Sequence, residues 1–137
     1  MTDTETKTRS VVIERELPHP PSKIWRALTQ PQLMAEWLMK TDFVPELGHR
    51  FAFTEAWGSV DCEVLEIAPE EALSYSWNGM GLESTVTWTL TPTDGGTHLR
   101  MEQAGFRIPE QKQAYGGAAS GWARFLDQLE QVVDGLA

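Results

Sequence analysis

The side chains able to do covalent or proton-transfer chemistry are few and scattered. His19, His49 and His98 fall in a turn, in a loop and on the outward parity of a strand. None has the H-x-x-x-H spacing that sets two imidazoles on one helix face around a metal, so they are expected at the surface. Cys62 is the only cysteine, which excludes an intramolecular disulfide and a cysteine-based zinc site. It alternates with Val60 and Val64, the pattern of a buried, inert thiol. There is no G-x-S-x-G, no P-loop and no Ser-His-Asp set, and the glycines of Met80-Gly81 and Gly116-Gly117 form no phosphate-binding fingerprint. No cofactor, metal site or catalytic set is expected. Glu55 and Tyr115 remain as a carboxyl and a phenol that would act as acid or base if both reached one cavity.

Aromatic side chains carry more information. Six Trp, five Phe and two Tyr are present, and each large aromatic buries roughly 150–250 Å². Trp25 and Trp122 are read as plain core. Trp37, Phe53, Trp77, Trp88, Met101 and Tyr115 are placed around an apolar cavity, with Glu55 at its mouth, as the ligand-binding set. Three polar residues share inward parity with apolar neighbours: Arg15 with Ile13 and Leu17, Glu55 with Phe51 and Phe53, and Gln103 with Met101. An unpaired charge buried there would cost several kcal/mol, so each must pair, reach solvent at a strand end, or meet a ligand.

Hydrophobic periodicity shows the elements that position these residues. Arg9 to Leu17 puts Val11, Ile13 and Leu17 on one parity and Glu14 and Glu16 on the other, as in a strand with one buried face. Pro18, Pro20 and Pro21 end it. Ser22 is expected to N-cap a short helix carrying Trp25 and Leu28, and Pro31 to open a second one carrying Leu33, Met34, Trp37 and Leu38. Strand patterns follow at Arg50 to Glu55, Ser59 to Ile67, Leu73 to Trp77, Glu83 to Thr91 and Thr97 to Ala104. Turns are expected at Asn78-Gly79 and Asp94-Gly95-Gly96, which makes an antiparallel meander. From about Gln113 to Val133 the period changes, with Trp122, Phe125, Leu126, Leu129, Val132 and Val133 at i, i+3, i+4, i+7 spacing. Gly116, Gly117 and Gly121 each weaken such a helix by ~1 kcal/mol relative to Ala. They are expected to thin one wall of the cavity.

The length of 137 residues suits a flexible leader over residues 1–9 and one domain over residues 10–137. No apolar run approaches the ~20 residues needed to cross a bilayer, no secretory h-region is present, and a cytoplasmic location is expected. With 11 basic and 20 acidic residues the formal charge is −9, which argues against nucleic acid and anionic membrane as partners. A monomer or weak homodimer is expected.

Pro21-Ser22-Lys23-Ile24-Trp25-Arg26-Ala27-Leu28-Thr29 followed by Trp37-Leu38 resembles the opening signature of the SRPBCC superfamily. Within it, the chain resembles the branch named for activators of the heat-shock-protein-90 ATPase. Gly48-x-x-Phe51, Val64-Leu65-Glu66-Ile67-Ala68-Pro69, Leu73-Ser74-Tyr75-Ser76-Trp77, Ser84-Thr85-Val86-Thr87-Trp88-Thr89-Leu90, Gly96-Thr97-x-Leu99 and Gly121-Trp122 extend the match from about residue 10 to 135. The resemblance implies an α+β helix-grip (START-like) fold: a curved antiparallel sheet around a long C-terminal helix, with two short helices after the first strand. It fixes architecture better than activity. The leading expectation is a carrier or sensor of a small hydrophobic molecule. An enzyme of cyclase or hydrolase type using Glu55 or Tyr115 comes second, and a module that stimulates a chaperone ATPase third.

Overall fold

A computed structural model of the chain describes residues 7–56, 58–79 and 81–136. Strand β1 (Lys7–Leu17) leads into the short helices α1 (Pro21–Thr29) and α2 (Pro31–Trp37). Strands β2 (Lys40–Thr41), β3 (Arg50–Glu55), β4 (Gly58–Ala68), β5 (Ala72–Gly79), β6 (Leu82–Thr93) and β7 (Gly96–Ile108) follow, and α3 (Lys112–Asp134) ends the chain. The seven strands form one sheet in the order β1-β7-β6-β5-β4-β3-β2, and every neighbouring pair is antiparallel. The order is that of the expected helix grip, with the first strand closing onto the last.

Several boundaries differ from the sequence expectation. β1 starts at Lys7, so the last three residues assigned to a flexible leader are in the ladder; the first six lie outside the described residues. The cause is β7, which continues past Ala104 to Ile108 and pairs Ile108 with Lys7. Gly105 makes this extension possible. The register shifts between Arg9 and Ser10, opposite Gly105, whose φ of 118° suits a residue without Cβ. A Cβ there would lie 2.8 Å from the Glu83 carbonyl oxygen. Asn78 and Gly79 belong to β5 rather than to a turn, and Asn78 Oδ1 instead accepts the Ser84 N–H at 3.3 Å. The reversal comes between Gly79 and Leu82, where Gly81 has a φ of 82°. Ser22 does not cap α1: Pro20 occupies that position and Ser22 lies inside the first turn. The two-residue strand β2 is too short to leave a periodic signal.

The concave face of the sheet buries Val11 and Leu17 of β1, Leu73 and Tyr75 of β5, Val86, Trp88 and Leu90 of β6, and Leu99 and Met101 of β7. Across from them α3 buries Trp122, Leu126, Leu129 and Val133, one stripe of its surface. A fully buried Leu or Val contributes roughly 1.5–3 kcal/mol, so this stripe anchors the helix. Polar clamps fix its register. Arg15 Nη1 of β1 donates to Asp127 Oδ1 at 2.9 Å and to Glu130 Oε2 at 2.6 Å, and His19 Nε2 meets Asp134 Oδ1 at 2.6 Å. The inward parity of Arg15 is thus resolved by an ion pair with the gripped helix. At the other side of the core, Trp37 Nε1 donates to the Ala27 carbonyl at 2.8 Å and ties α2 to α1.

Candidate functional site

The C-terminal turns of α3 carry large side chains into the core, whereas its first turns carry almost none. Ala114, Gly117, Ala118 and Gly121 occupy the same helical stripe as Trp122 and Phe125, at i, i+3, i+4 and i+7 spacing. Where the stripe is small, the helix cannot fill the concavity, and a cavity of about 330 Å³ remains. Its sheet side is Val60 of β4, Trp77 and Gly79 of β5, Leu82 of β6 and Gln103 of β7, and Met39 enters from the link between α2 and β2. Ala114 and Gly117 are exposed, so the cavity opens to solvent along the start of α3.

The glycines are not required by packing within the chain. A Cβ built on Gly117 or Gly121 meets nothing within 4 Å. Two alanines would therefore fit and would favour the helix by ~1 kcal/mol each, yet glycine stands at both positions. Gly116 also faces open space but does not border the cavity. The wall-thinning expected of three glycines holds for two.

One polar side chain lies in this apolar lining. Gln103 is 1% exposed, and its amide orientation is set by its neighbours. An indole N–H can only donate, so the 2.6 Å contact with Trp122 Nε1 must involve Gln103 Oε1. Gln103 Nε2 then donates to Ser84 Oγ at 3.0 Å, and Ser84 Oγ donates to the Trp77 carbonyl at 2.8 Å. The relay joins α3 to three neighbouring strands around the cavity.

The residues expected to border the cavity divide sharply. Trp77 does line it. Trp37, Phe53, Trp88 and Met101 do not: all are at most 1% exposed and form the packed layer behind it. Trp37 meets Trp88 edge-on at 5.6 Å, Trp88 meets Trp122 at 5.8 Å, and Phe53 backs Trp77 at 5.2 Å. Trp88 Nε1 donates to the Tyr75 hydroxyl at 2.9 Å, and burial raises the Tyr75 phenol's pKa. Alternation puts these residues on the correct face but says nothing of depth along the strand, and the void lies beside the reversal between Gly79 and Leu82. Glu55 is exposed at the end of β3 and is outside the lining. Tyr115 faces β1 and β7, where its hydroxyl donates to the Ser10 carbonyl at 3.2 Å and its ring packs on Phe106 at 5.5 Å. It pins the first turn of α3 rather than bordering the cavity.

Trp122, read from sequence as plain core, lines the cavity, as do Val60, Leu82, Phe125 and Met39. The available signal was the position of Trp122 directly after Gly121 on the glycine-bearing stripe. Trp25, also read as plain core, is half-buried and packs against the core cluster from outside it. Cys62 is buried and its thiol is pushed up to about 12, by desolvation first and by Asp61 and Asp42 second. The histidines lie at the surface and make polar or stacking contacts there. His19 bridges Asp134 and Lys23, His49 stacks on Phe51, and His98 sits between Glu14 and Glu16. Among the described residues no group of three or more His, Cys, Asp or Glu could hold a metal ion.

Residues 18–134 match the family described as activator of Hsp90 ATPase homolog 1-like protein. No curated protein matches the chain. The crystal structure of protein MLL2253 from Mesorhizobium loti is similar at 56% identity, covering 94% of this chain and 99% of that one, with a TM-score of 0.91. The solution structure of Bacillus halodurans protein BH1534 covers 94% of this chain and 99% of its own, at 24% identity and a TM-score of 0.82. CalU16 from Micromonospora echinospora covers 98% and 88%, at 24% identity and a TM-score of 0.80. At that identity the last two show the fold alone.

Proposed function

For a chain that belongs to the activator of Hsp90 ATPase homolog 1-like family of the SRPBCC superfamily, we propose that it binds a small hydrophobic molecule between the sheet and the start of α3, as a carrier or sensor. The observation that carries this reading is the small-residue stripe of α3. Gly117 and Gly121 keep open about 330 Å³ that alanines would begin to fill, at a cost to helix stability. The volume is at the lower end of the range for small-molecule sites. The lining has no titratable side chain, which favours binding over acid–base catalysis. Glu55 and Tyr115, on which an acid–base enzyme would rest, both lie elsewhere. The chaperone-stimulating reading has the family's name under it and no feature of the cavity.

We place the protein in the cytoplasm, as a monomer or weak homodimer without nucleic-acid partners. The charge of −9 supports the last point. No described helix is long and apolar enough to cross a membrane. Mass spectrometry under non-denaturing conditions, on protein purified from its own host, tests the ligand directly. The expected spectrum shows a small-molecule adduct, or a 1:1 complex after adding the neutral probe N-phenyl-1-naphthylamine. Bare protein in both samples would count against binding.

A further inference from the structure

The donor inventory of the Gln103 relay leaves one group over. A glutamine amide has two N–H donors, and among the described residues Gln103 Nε2 has a single acceptor, Ser84 Oγ at 3.0 Å. Its oxygen is committed to the Trp122 indole at 2.6 Å, so the amide cannot turn over to hide the spare proton. Ser84 Oγ sends its own proton to the Trp77 carbonyl at 2.8 Å and so meets Gln103 as the acceptor of one amide proton. The side chain is 1% exposed and borders the cavity, whose other lining side chains are apolar apart from two indole N–H groups, that of Trp122, committed to Gln103, and that of Trp77, which is only half-buried and can reach water. A buried amide proton without an acceptor is destabilising, and an occupant of the cavity is positioned to accept it.

We infer that the cavity selects a neutral, largely apolar molecule with one hydrogen-bond acceptor, of ketone or quinone type, and that Gln103 is the residue that reads it. Trp77, Trp122 and Phe125 supply flat aromatic surface around that point, so a planar ring system carrying the carbonyl fits best. A carboxylate is disfavoured because no cation lines the space to offset its desolvation. A pure hydrocarbon is disfavoured because it leaves the Gln103 proton unmet.

This inference rests on the hydrophobic-ligand reading, and one experiment separates the two. Fluorenone and fluorene have nearly the same shape and differ by the carbonyl. Each is titrated in competition with N-phenyl-1-naphthylamine against the wild type and Gln103→Met, which keeps the side chain's length without its amide. The wild type is expected to prefer fluorenone by roughly 3- to 10-fold, the worth of one net hydrogen bond. In Gln103→Met the ratio should fall to unity or below, whatever the absolute affinities. A wild-type ratio of one, or the same preference in both proteins, overturns the role of Gln103 while leaving hydrophobic binding standing. Failure of all three compounds to bind removes the underlying reading and this inference with it. If Gln103→Met does not fold, the infrared carbonyl stretch of fluorenone bound to Trp77→Phe, which keeps an aromatic wall without its N–H, decides. A frequency below that in hexane supports the bond, and the hexane frequency overturns it.

Discussion

Replacing Gly117 and Gly121 together by alanine should make the protein more stable and a poorer binder. Neither new Cβ meets an atom within 4 Å, so no strain opposes the change, and neither glycine has a positive φ. Helix propensity favours Ala by ~1 kcal/mol per exposed interior site, and partial tertiary control lowers this toward ~0.5. The pair is therefore expected to add about 1–2 kcal/mol, a rise of roughly 4–8 °C in Tm for a chain of this size. Both positions border the cavity, so methyl groups there should lower affinity for N-phenyl-1-naphthylamine. Gly116→Ala is the internal control: it also faces open space but lies off the lining, and should stabilise without weakening the probe. Calorimetry and fluorescence titration of the three proteins give both readouts. Destabilisation by the double change would mean that the glycines serve packing. Stabilisation with unaltered binding would mean that the space is not where the probe goes.

Other outcomes follow from the same geometry. Trp88→Ala should cost ~3–5 kcal/mol in urea denaturation, because a fully buried indole loses its edge contact with Trp37 and its bond to Tyr75. Trp77→Ala, at the half-buried rim, should cost less and should abolish most probe binding. His98, held by Glu16 and Glu14, has its pKa raised above the ordinary 6.5. Its contribution is thus complete below the unfolded value and is lost as pH rises through the higher folded value. The Tm difference between wild type and His98→Gln should accordingly be present at pH 5.5 and absent at pH 9, and a difference that grows with pH would contradict the assignment. Cys62, buried with its thiol at about 12, should ignore a chromogenic disulfide reagent in the native protein and react fully in denaturant.

The architecture was readable because each element announced itself by period. The alternation of β6 and β7 and the 3.6-residue stripe of α3 appear in the structure within one or two residues at most ends, and β7 overran its pattern furthest, from Ala104 to Ile108 through the Gly105 bulge. Turn chemistry was less reliable. Asn78-Gly79 has the composition of a reversal, but the ladder to β6 absorbs both residues and Gly81 supplies the left-handed position instead. The site was half legible. Parity told which residues face inward, but whether an inward residue borders space or fills it depends on what stands opposite. Trp88 is closed in by Trp37 and Trp122 and is core; Trp77 also meets Trp122, at 5.1 Å, but has the small residues of α3 nearby and borders the void. Glu55 shares its parity with Phe53 but sits at the end of β3, where the strand has already left the cup.

The central claim is that a hydrophobic ligand enters beside the first turns of α3. The indole N–H resonances of the six tryptophans offer six separate reporters within one spectrum. Titration of ¹⁵N-labelled protein with N-phenyl-1-naphthylamine should move the signals of Trp122 and Trp77, which line the cavity, saturably to a 1:1 endpoint. The signal of Trp25, on α1 and outside the lining, should stay in place. Unmoved Trp77 and Trp122 signals, or a shift centred on Trp25, would contradict the account.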